Sequence, residues 1–245
     1  MQDEFIHTIT NTLDLLTDTY NYNHWIYSLM RPHLGERILE VGAGIGNITQ
    51  FLLSSKEVVC LDLEDEYVDI LRDYAHTHKN ITPLQLSLLD LPSTQAPLNY
   101  FDTVLCINVL EHIENDLLAV QQMASVLKPG GKLWLYVPAG QWAYGALDKE
   151  LGHFRRYTRP RLRSLAIDAN LELLECHYVN MVGIFGWYWS ARVRKDRVIR
   201  RANAHLMDRL VPYLSAIERL VRPPFGQSLV AVMERSENLS DFPLG

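Results

Sequence analysis

The sequence has little of what membrane-spanning and secreted proteins contain. No apolar run approaches the ~20 residues that a transmembrane helix needs, so we expect no membrane span. The first residues are acidic and show no basic segment followed by an apolar one, so we expect no secretory signal. Only three cysteines occur, Cys60, Cys106 and Cys176, each in a run typical of a buried strand. This odd count predicts reduced, structural thiols in a cytoplasmic protein.

Patterns that bind metals or nucleic acids are also missing. The 9 histidines are scattered and no CxxC or HxxxH spacing occurs, so the sequence predicts no metal site. The net charge is −6 and no nucleic-acid-binding motif is present, so we expect no nucleic-acid partner. Charge is uneven, however: residues 1–150 carry 8 Lys and Arg against 20 Asp and Glu, whereas residues 151–245 carry 15 against 9. The basic part predicts contact with an anionic substrate or membrane surface, unless it is an ordinary solvated face.

Two apolar patterns alternate along most of the chain. Short, nearly continuous apolar runs are typical of parallel strands that are buried on both faces. We predict seven such strands, at 37–41, 58–62, 82–86, 101–107, 131–137, 172–179 and 228–234. Helical spacing between the early strands predicts helices at 48–53, 67–77 and 115–127. This alternation indicates an α/β fold with a doubly wound parallel sheet.

The domain prediction has three parts. Residues 1–35 have helical spacing and are predicted to form an N-terminal helical lid, while residues 36–179 and 227–235 form the core. Residues 180–226 are too long for a turn and are basic, aromatic and helical in pattern. We expect them to be an inserted cap or a contact of a homodimer, and a peripheral membrane contact is a further alternative.

A glycine-rich loop follows the first predicted strand, with the sequence EVGAGIGN at residues 40–47. A phosphate-binding P-loop needs a lysine after its second conserved glycine, and none follows here. A dinucleotide-binding loop places its third glycine where Asn47 stands, whereas Gly46 comes one residue early. The spacing E-x-G-x-G-x-G is that of the loop in S-adenosylmethionine-dependent methyltransferases.

Polar residues follow the next strands at the positions where a ligand of this loop would need them. Asp62 ends the second strand, where a carboxylate can accept hydrogen bonds from both ribose hydroxyls. Asp90 follows the third strand, where it can meet an adenine amino group, or else it forms a turn before Pro92. The fourth strand ends in NVLEH at residues 108–112, at the edge where open sheets bind ligands.

These motifs together resemble those of class I S-adenosylmethionine-dependent methyltransferases of the bacterial small-molecule type. The likeness covers roughly residues 20–180 and 228–234 and rests on LEVGAGIGN, NVLEHI and LGHFRRYT. It implies a Rossmann-like, doubly wound seven-stranded sheet of order 3-2-1-4-5-7-6 with the last strand antiparallel, and S-adenosyl-L-methionine as cofactor. It also implies cofactor contacts from Glu40, Gly42, Gly44, Gly46, Asp62, Leu63, Leu89, Asp90, Asn108 and Val109.

Other side chains are candidates whose structural alternatives stay open. Tyr22 is predicted to lie across the cofactor as part of the lid, or to pack in the core. In the segment YGALDKELGHFRRYT, His153 or Asp148 is predicted to be catalytic, since an imidazole can take a proton from an acceptor hydroxyl. Substrate contacts are predicted for His112, Arg155, Arg156 and Tyr157. The structural alternative pairs Arg156 with Asp148 and packs His112.

The sequence thus predicts a methyltransferase that acts on a small-molecule acceptor. Its basic segments favour O-methylation of an anionic or sugar-linked hydroxyl. One alternative is a cofactor-binding or membrane-surface module without turnover. A nicotinamide-dependent oxidoreductase is the other, and the spacing of Gly46 and Asn47 counts against it.

Overall fold

A seven-stranded sheet forms the centre of the molecule. The structure is a computed structural model and describes residues 19–194, 201–221 and 223–237. The strands are β1 (Arg37–Val41), β2 (Glu57–Asp62), β3 (Ile81–Gln85), β4 (Phe101–Ile107), β5 (Leu127–Pro138), β6 (Leu171–Val179) and β7 (Ser228–Arg235). The described α-helices are α1 (Tyr20–Met30), α2 (Asp65–Thr77), α3 (Asp116–Val126), α4 (Ala146–Glu150), α5 (Arg159–Asp168), α6 (Met181–Tyr188) and α7 (Arg201–Val221).

The strand order is β3-β2-β1-β4-β5-β7-β6, and it confirms the predicted topology. Strands β1 to β5 are mutually parallel, whereas β7 runs antiparallel to both β5 and β6. The chain passes from β3 at one edge to β4 on the far side of β1. The carboxyl ends of β1 and β4 therefore flank the point where the strand order reverses, which is where open α/β sheets bind ligands.

Apolar side chains cover both faces of the sheet, which explains the nearly continuous apolar runs. Along β1, Ile38 packs on the face that α1 covers, and Leu39 packs on the opposite face with α3 and α5. Cys60 and Cys106 are fully buried and Cys176 is half-buried, and all three are free thiols. Burial of this kind on both faces is expected of central parallel strands.

One helix was predicted wrongly. Residues 48–53 form only a 3-10 turn at Thr49–Phe51 before the chain enters β2. This stretch lies between Gly46, with a φ of +86°, and two serines, so it is too short to repay the cost of helix nucleation. The other early helices hold with shifted ends: α2 begins at Asp65, where two acidic residues favour the helix N-terminus.

The N-terminal helix is fastened to α7. Asp208 of α7 accepts hydrogen bonds from the Tyr22 backbone N–H and from the Asn21 side-chain amide, both at 2.9 Å. A carboxylate there satisfies a backbone donor that the first turn of α1 leaves without an intrahelical partner. The part of the predicted lid before Thr19 lies outside the described residues.

The first helix of the predicted insertion packs on the loop that follows β5. Trp187 of α6 lies against Leu147 and Leu151, and Tyr188 approaches Trp142 with a ring-centroid distance of 5.6 Å. A π-helix at Trp189–Arg194 continues α6. The insertion therefore covers this loop, while its role as a cap or a dimer contact stays a prediction. Across the described ranges, no helix combines the length and the apolar character that crossing a membrane requires.

Candidate active site

The glycine-rich loop turns sharply after β1 and leaves its backbone bare. Gly42, Gly44 and Gly46 all have positive φ angles, of +69°, +54° and +86°. At Gly42 a side chain is excluded for a second reason, because an added Cβ would lie 2.3 Å from Cγ2 of Val109. The loop that follows β4 therefore packs directly against the glycine loop at the carboxyl edge of the sheet.

Asp62 is held in place by backbone amides. One carboxylate oxygen accepts a hydrogen bond from the Gly44 N–H at 2.8 Å, and the other accepts from Leu63 at 2.8 Å and Glu64 at 3.2 Å. The side chain ties the glycine loop to the end of β2 while the residue stays partly exposed. A carboxylate has about four acceptor sites, so beyond these three bonds it retains about one for a ligand hydroxyl.

Two exposed leucines lie at the neighbouring strand ends. Leu63, after β2, is 61% exposed, and Leu89, after β3, is 39% exposed. Asp90 beside Leu89 is exposed as well. Apolar surface at an otherwise polar edge fits the faces of an aromatic ring, and a carboxylate beside it fits an amino group. The glycine loop, Asp62 and these leucines lie where the sequence predicts contacts to S-adenosylmethionine, and those contacts stay a prediction.

The end of β4 lies beside the glycine loop. Asn108 adopts a left-handed conformation with φ of +52°, and its N–H donates to the Tyr136 carbonyl at 2.8 Å. Asparagine tolerates this conformation better than most residues. The turn leaves the Asn108 side chain exposed and sends Val109 beneath Gly42. Both positions agree with the predicted contact to the methionine part of the cofactor, which stays a prediction.

Glu40 lies below the loop in the interior. It is 3% exposed, and its carboxylate accepts a hydrogen bond from the Thr49 hydroxyl at 2.7 Å and approaches the Cys60 thiol at 3.8 Å. Burial raises the pKa of Glu40 to about 7, although the Thr49 hydrogen bond acts in the opposite direction. The predicted contact between Glu40 and the cofactor ammonium group stays a prediction.

Tyr22 reaches inward from α1. Its hydroxyl lies 2.9 Å from the hydroxyl of Tyr136 in β5, and its ring packs edge-on against Trp25. Trp25 itself is buried, as expected of a core residue. The contacts of Tyr22 among the described residues are those of a packed side chain, and its role as a lid over the cofactor stays a prediction.

Asp148 of α4 and His153, which follows that helix, form a hydrogen-bonded pair between β5 and α5. Asp148 is fully buried, and one of its oxygens lies 2.9 Å from Nδ1 of His153 and 2.7 Å from Nε of Arg156. The other oxygen accepts from the Gly145 N–H at 2.9 Å. Burial alone would raise the pKa of Asp148, but the His153 hydrogen bond and the Arg156 charge hold it below its usual value. The predicted Arg156–Asp148 pair is confirmed.

The side chains of Arg156 and Tyr157 donate hydrogen bonds to backbone carbonyls of the protein itself. The Arg156 guanidinium donates to the Ala139 carbonyl at 3.1 Å and stacks over the Trp187 ring at 4.5 Å. Tyr157 is fully buried and donates its hydroxyl to the Leu110 carbonyl at 3.1 Å. These contacts fasten the loop to the ends of β4 and β5, and they give both residues a structural role.

Arg155 is partly exposed but also engaged. Its guanidinium donates to the carbonyls of Ile113 at 2.8 Å and Glu114 at 2.6 Å, and it lies 3.3 Å from Asp116. The bidentate capture of an anionic substrate that the sequence predicts would require these bonds to break. The substrate role of Arg155 therefore stays a prediction, and its observed contacts do not favour it.

Glu111 and His112 complete a polar cluster with His153. The His112 and His153 rings meet edge-to-face with a centroid distance of 4.7 Å. Glu111 is 1% exposed, and burial raises its pKa to about 7, while burial lowers the pKa of His112 to about 4. The sequence analysis missed this grouping and did not single out Glu111. Residues 111 and 153 are far apart in sequence, and no spacing motif signals such a contact.

The comparisons with known proteins agree with this geometry. Residues 39–133 match a family described as "Methyltransferase domain". The chain is 29% identical over 158 residues to a ubiquinone biosynthesis O-methyltransferase of Xanthomonas euvesicatoria. This alignment covers 57% of this chain and 64% of the relative. A ubiquinone biosynthesis O-methyltransferase of Coxiella burnetii is 24% identical over 155 residues, covering 58% of this chain and 65% of that protein. The match thus spans just under two thirds of these relatives.

Solved structures share the fold. The 1,6-didemethyltoxoflavin-N1-methyltransferase of Burkholderia thailandensis, solved with S-adenosylhomocysteine, superimposes with a TM-score of 0.62. The superposition covers 96% of this chain and 86% of that one at 16% identity, so it bears on the fold alone. Family match, curated relatives and sheet topology agree: residues 39–133 match a methyltransferase domain, and the sheet has the Rossmann-like topology of methyltransferases.

Proposed function

We propose that the protein transfers the methyl group of S-adenosylmethionine to a hydroxyl oxygen of a small-molecule acceptor. The observation that carries this proposal is the cluster of Glu111, His112 and His153, which lies just beyond Asn108 and Val109 at the end of β4. A hydroxyl acceptor must lose its proton during transfer, and a cluster of this chemistry can assist that loss. The relatives named as O-methyltransferases support the same acceptor atom.

The chain offers a group for each part of the cofactor. The backbone of the glycine loop and Asn108 would hold the amino-acid part, Asp62 the ribose hydroxyls, and Leu63, Leu89 and Asp90 the adenine. When bound, S-adenosylmethionine supplies a methyl group that is already activated on a sulfonium sulfur. The protein's contribution is therefore chiefly to position the acceptor, which is worth about 7–11 kcal/mol in well-oriented reactions.

Asp148 acts through His153 in this proposal. Its hydrogen bond to Nδ1 fixes the imidazole orientation, so that Nε2 remains for a partner in the cluster. His153 is then the candidate catalytic residue, and Asp148 is the residue that positions it. Both belong to a buried, mutually bonded loop, which keeps the imidazole in one place.

The charged side chains near the proposed site indicate which charge the acceptor carries. The guanidinium groups of Arg155 and Arg156 donate to carbonyl and carboxylate oxygens of the protein itself. Neither arginine is therefore aimed at a negatively charged acceptor. We therefore favour a neutral phenolic or sugar-linked hydroxyl over the anionic acceptor that composition predicts.

Turnover with a panel of acceptors tests the proposal. The wild-type protein would be incubated with S-adenosylmethionine carrying a trideuterated methyl group and with phenols, glycosides and their carboxylated analogues. We expect mass-labelled O-methyl products from the neutral hydroxyls, and a loss of at least a hundredfold in kcat in His153→Gln with little change in KM. Cofactor binding without any labelled product across the panel would favour the non-catalytic module instead.

A further inference from the structure

The Glu111–His112–His153 cluster combines three potential metal ligands from two separate segments. One ligand atom from each residue lies within 4.8 Å of the other two. Glu111 and His112 belong to the 3-10 turn after β4, and His153 belongs to the loop before α5. Two imidazoles and one carboxylate form a ligand set that divalent transition metals prefer in proteins.

An orphaned carboxylate oxygen points to a missing partner in this cluster. Oε2 of Glu111 is buried and has no hydrogen-bond partner among the described residues. A buried carboxylate oxygen without a partner is costly, and native proteins rarely keep one. The nearby guanidinium of Arg156 does not supply that partner, since it bonds to Asp148 and the Ala139 carbonyl. A cation in the cluster would complete the set of contacts.

Asp148 supplies the outer contact that such a site requires. Metal-binding histidines commonly donate their second ring nitrogen to a carboxylate, which fixes the tautomer and the ring orientation. His153 has this arrangement, with its Nδ1 at 2.9 Å from Asp148. With a proton on Nδ1, the lone pair of Nε2 is available to a metal ion.

We propose that Glu111, His112 and His153 bind one divalent transition-metal ion, with Zn²⁺ as the best match to the ligands. Ligands at 2.0–2.2 Å from a tetrahedral Zn²⁺ stand ~3.4 Å apart, and the three ligand atoms lie within 4.8 Å of one another, so the cluster needs to contract by at most ~1.4 Å. His112 is half-buried at the end of its 3-10 turn. Magnesium suits the site less well, because two of the three ligands are nitrogens.

The metal would have a role in the proposed methyl transfer. With three protein ligands a fourth position stays open, and a hydroxyl bound there loses its proton more readily. The acceptor O–H bond would break and its proton would go to solvent. The oxygen electron pair would then form the new O–CH3 bond as the S–CH3 bond of the cofactor breaks and its electron pair returns to sulfur. This role rests on the proposed function, whereas the binding of the metal does not.

Metal titration of the chelator-treated full-length protein tests the inference. Calorimetry with Zn²⁺ is expected to give one site of micromolar or tighter affinity. Titration with Co²⁺ is expected to produce visible absorption bands of a four- or five-coordinate ion. Glu111→Gln and His153→Gln are each expected to weaken binding at least tenfold, whereas His76→Gln, at an exposed position of α2, should bind as the wild type does.

Zn²⁺ affinity and circular dichroism together distinguish a residue that supports metal binding from one that only stabilises the fold. Asp148→Asn is expected to weaken Zn²⁺ binding by about 10–100-fold, as removal of an outer contact does elsewhere. Circular dichroism on every variant would establish that it is folded. Absence of Zn²⁺ binding in the wild type, or equal binding in folded Glu111→Gln and His76→Gln, would overturn the proposal.

The two proposals fail in different ways. A protein that keeps full methyltransferase turnover after metal removal, and that binds no Zn²⁺, would retain the proposed function and lose the metal site. In that outcome His153 acts as the base by itself. A protein that binds Zn²⁺ through these residues but shows no methyl transfer would retain the metal site and lose the proposed function.

Discussion

The two halves of the carboxyl edge are built differently. At the ends of β2 and β3, Asp62 is partly exposed and Leu63, Leu89 and Asp90 are exposed, and the Asp62 carboxylate bonds to backbone amides. At the ends of β4 and β5, Asp148, Arg156 and Tyr157 are buried and bonded to one another or to nearby carbonyls. The first half thus leaves side-chain groups open to a ligand, whereas the second uses them to hold a loop in position. A substitution should cost ligand affinity in the first half and stability in the second.

The largest effect is expected for Asp148→Ala. This change leaves the buried groups of Arg156 and His153 without their carboxylate, which typically costs about 3–5 kcal/mol. Asp90→Ala in the other half removes an exposed carboxylate and should change the free energy of unfolding by less than about 0.5 kcal/mol. Urea denaturation of both variants would measure the contrast, and equal costs would erase the difference between the halves.

The buried Glu40, at the end of β1, is expected to make the stability of the fold depend on pH. Its pKa is raised from 4.5 to about 7, so the folded state holds a proton that the unfolded state releases from pH 4.5 upward. The stability contribution is complete below pH 4.5 and is lost as the pH rises to about 7, by about 3 kcal/mol in total. In Glu40→Gln this loss should disappear, so the variant should be the more stable protein at pH 8. Denaturation curves at pH 5 and pH 8 would test this, and an unchanged pH dependence would refute it.

Gly42→Ala is expected to damage the loop between the halves. The φ of +69° and the 2.3 Å approach to Val109 predict a loss of about 1–3 kcal/mol in stability, together with weaker cofactor binding. Gly186 of α6 provides the matched control, since an added Cβ would meet no atom within 4 Å. Gly186→Ala should raise stability by up to about 1 kcal/mol. Thermal denaturation of both variants would give the comparison, and a neutral Gly42→Ala would contradict the loop geometry.

The smallest effect is expected for Leu63→Ala. Because Leu63 is 61% exposed, its removal should leave stability nearly unchanged. If the side chain covers a face of the adenine, the affinity for S-adenosylhomocysteine should fall about fivefold, or ~1 kcal/mol. Leu174→Ala, 42% exposed on β6, should leave that affinity unchanged. Calorimetry would decide, and identical affinities in the two variants would remove Leu63 from the site.

The sequence predicted the strands and the positions of their ends better than the packing of the loops that follow them. Strand ends in a parallel sheet meet at one edge, so Asp62, Asp90 and Asn108 could be placed together from strand positions alone. The bounds of β1 and β4 were also predicted correctly, because continuous apolar runs mark buried strands. The sheet order, by contrast, came from resemblance to a family.

Contacts distant in sequence were beyond such reasoning. The pair of Asp148 and Arg156 could be predicted because the two residues are only eight positions apart in the sequence. The meeting of His112 with His153, and of Tyr22 with Tyr136, depends on how loops and helices pack over the sheet. Hydrophobic periodicity carries no information on that packing. The failed helix at 48–53 has a different cause, since a short apolar segment can also form a turn.

Calorimetric titration with S-adenosylmethionine tests the central claim most directly. The account predicts micromolar binding to the wild type and to Asp73→Ala, a control at an exposed site on α2, with binding lost in Asp62→Ala and absent for NADH. Tight NADH binding with none for S-adenosylmethionine, or unchanged S-adenosylmethionine binding in Asp62→Ala, would contradict it.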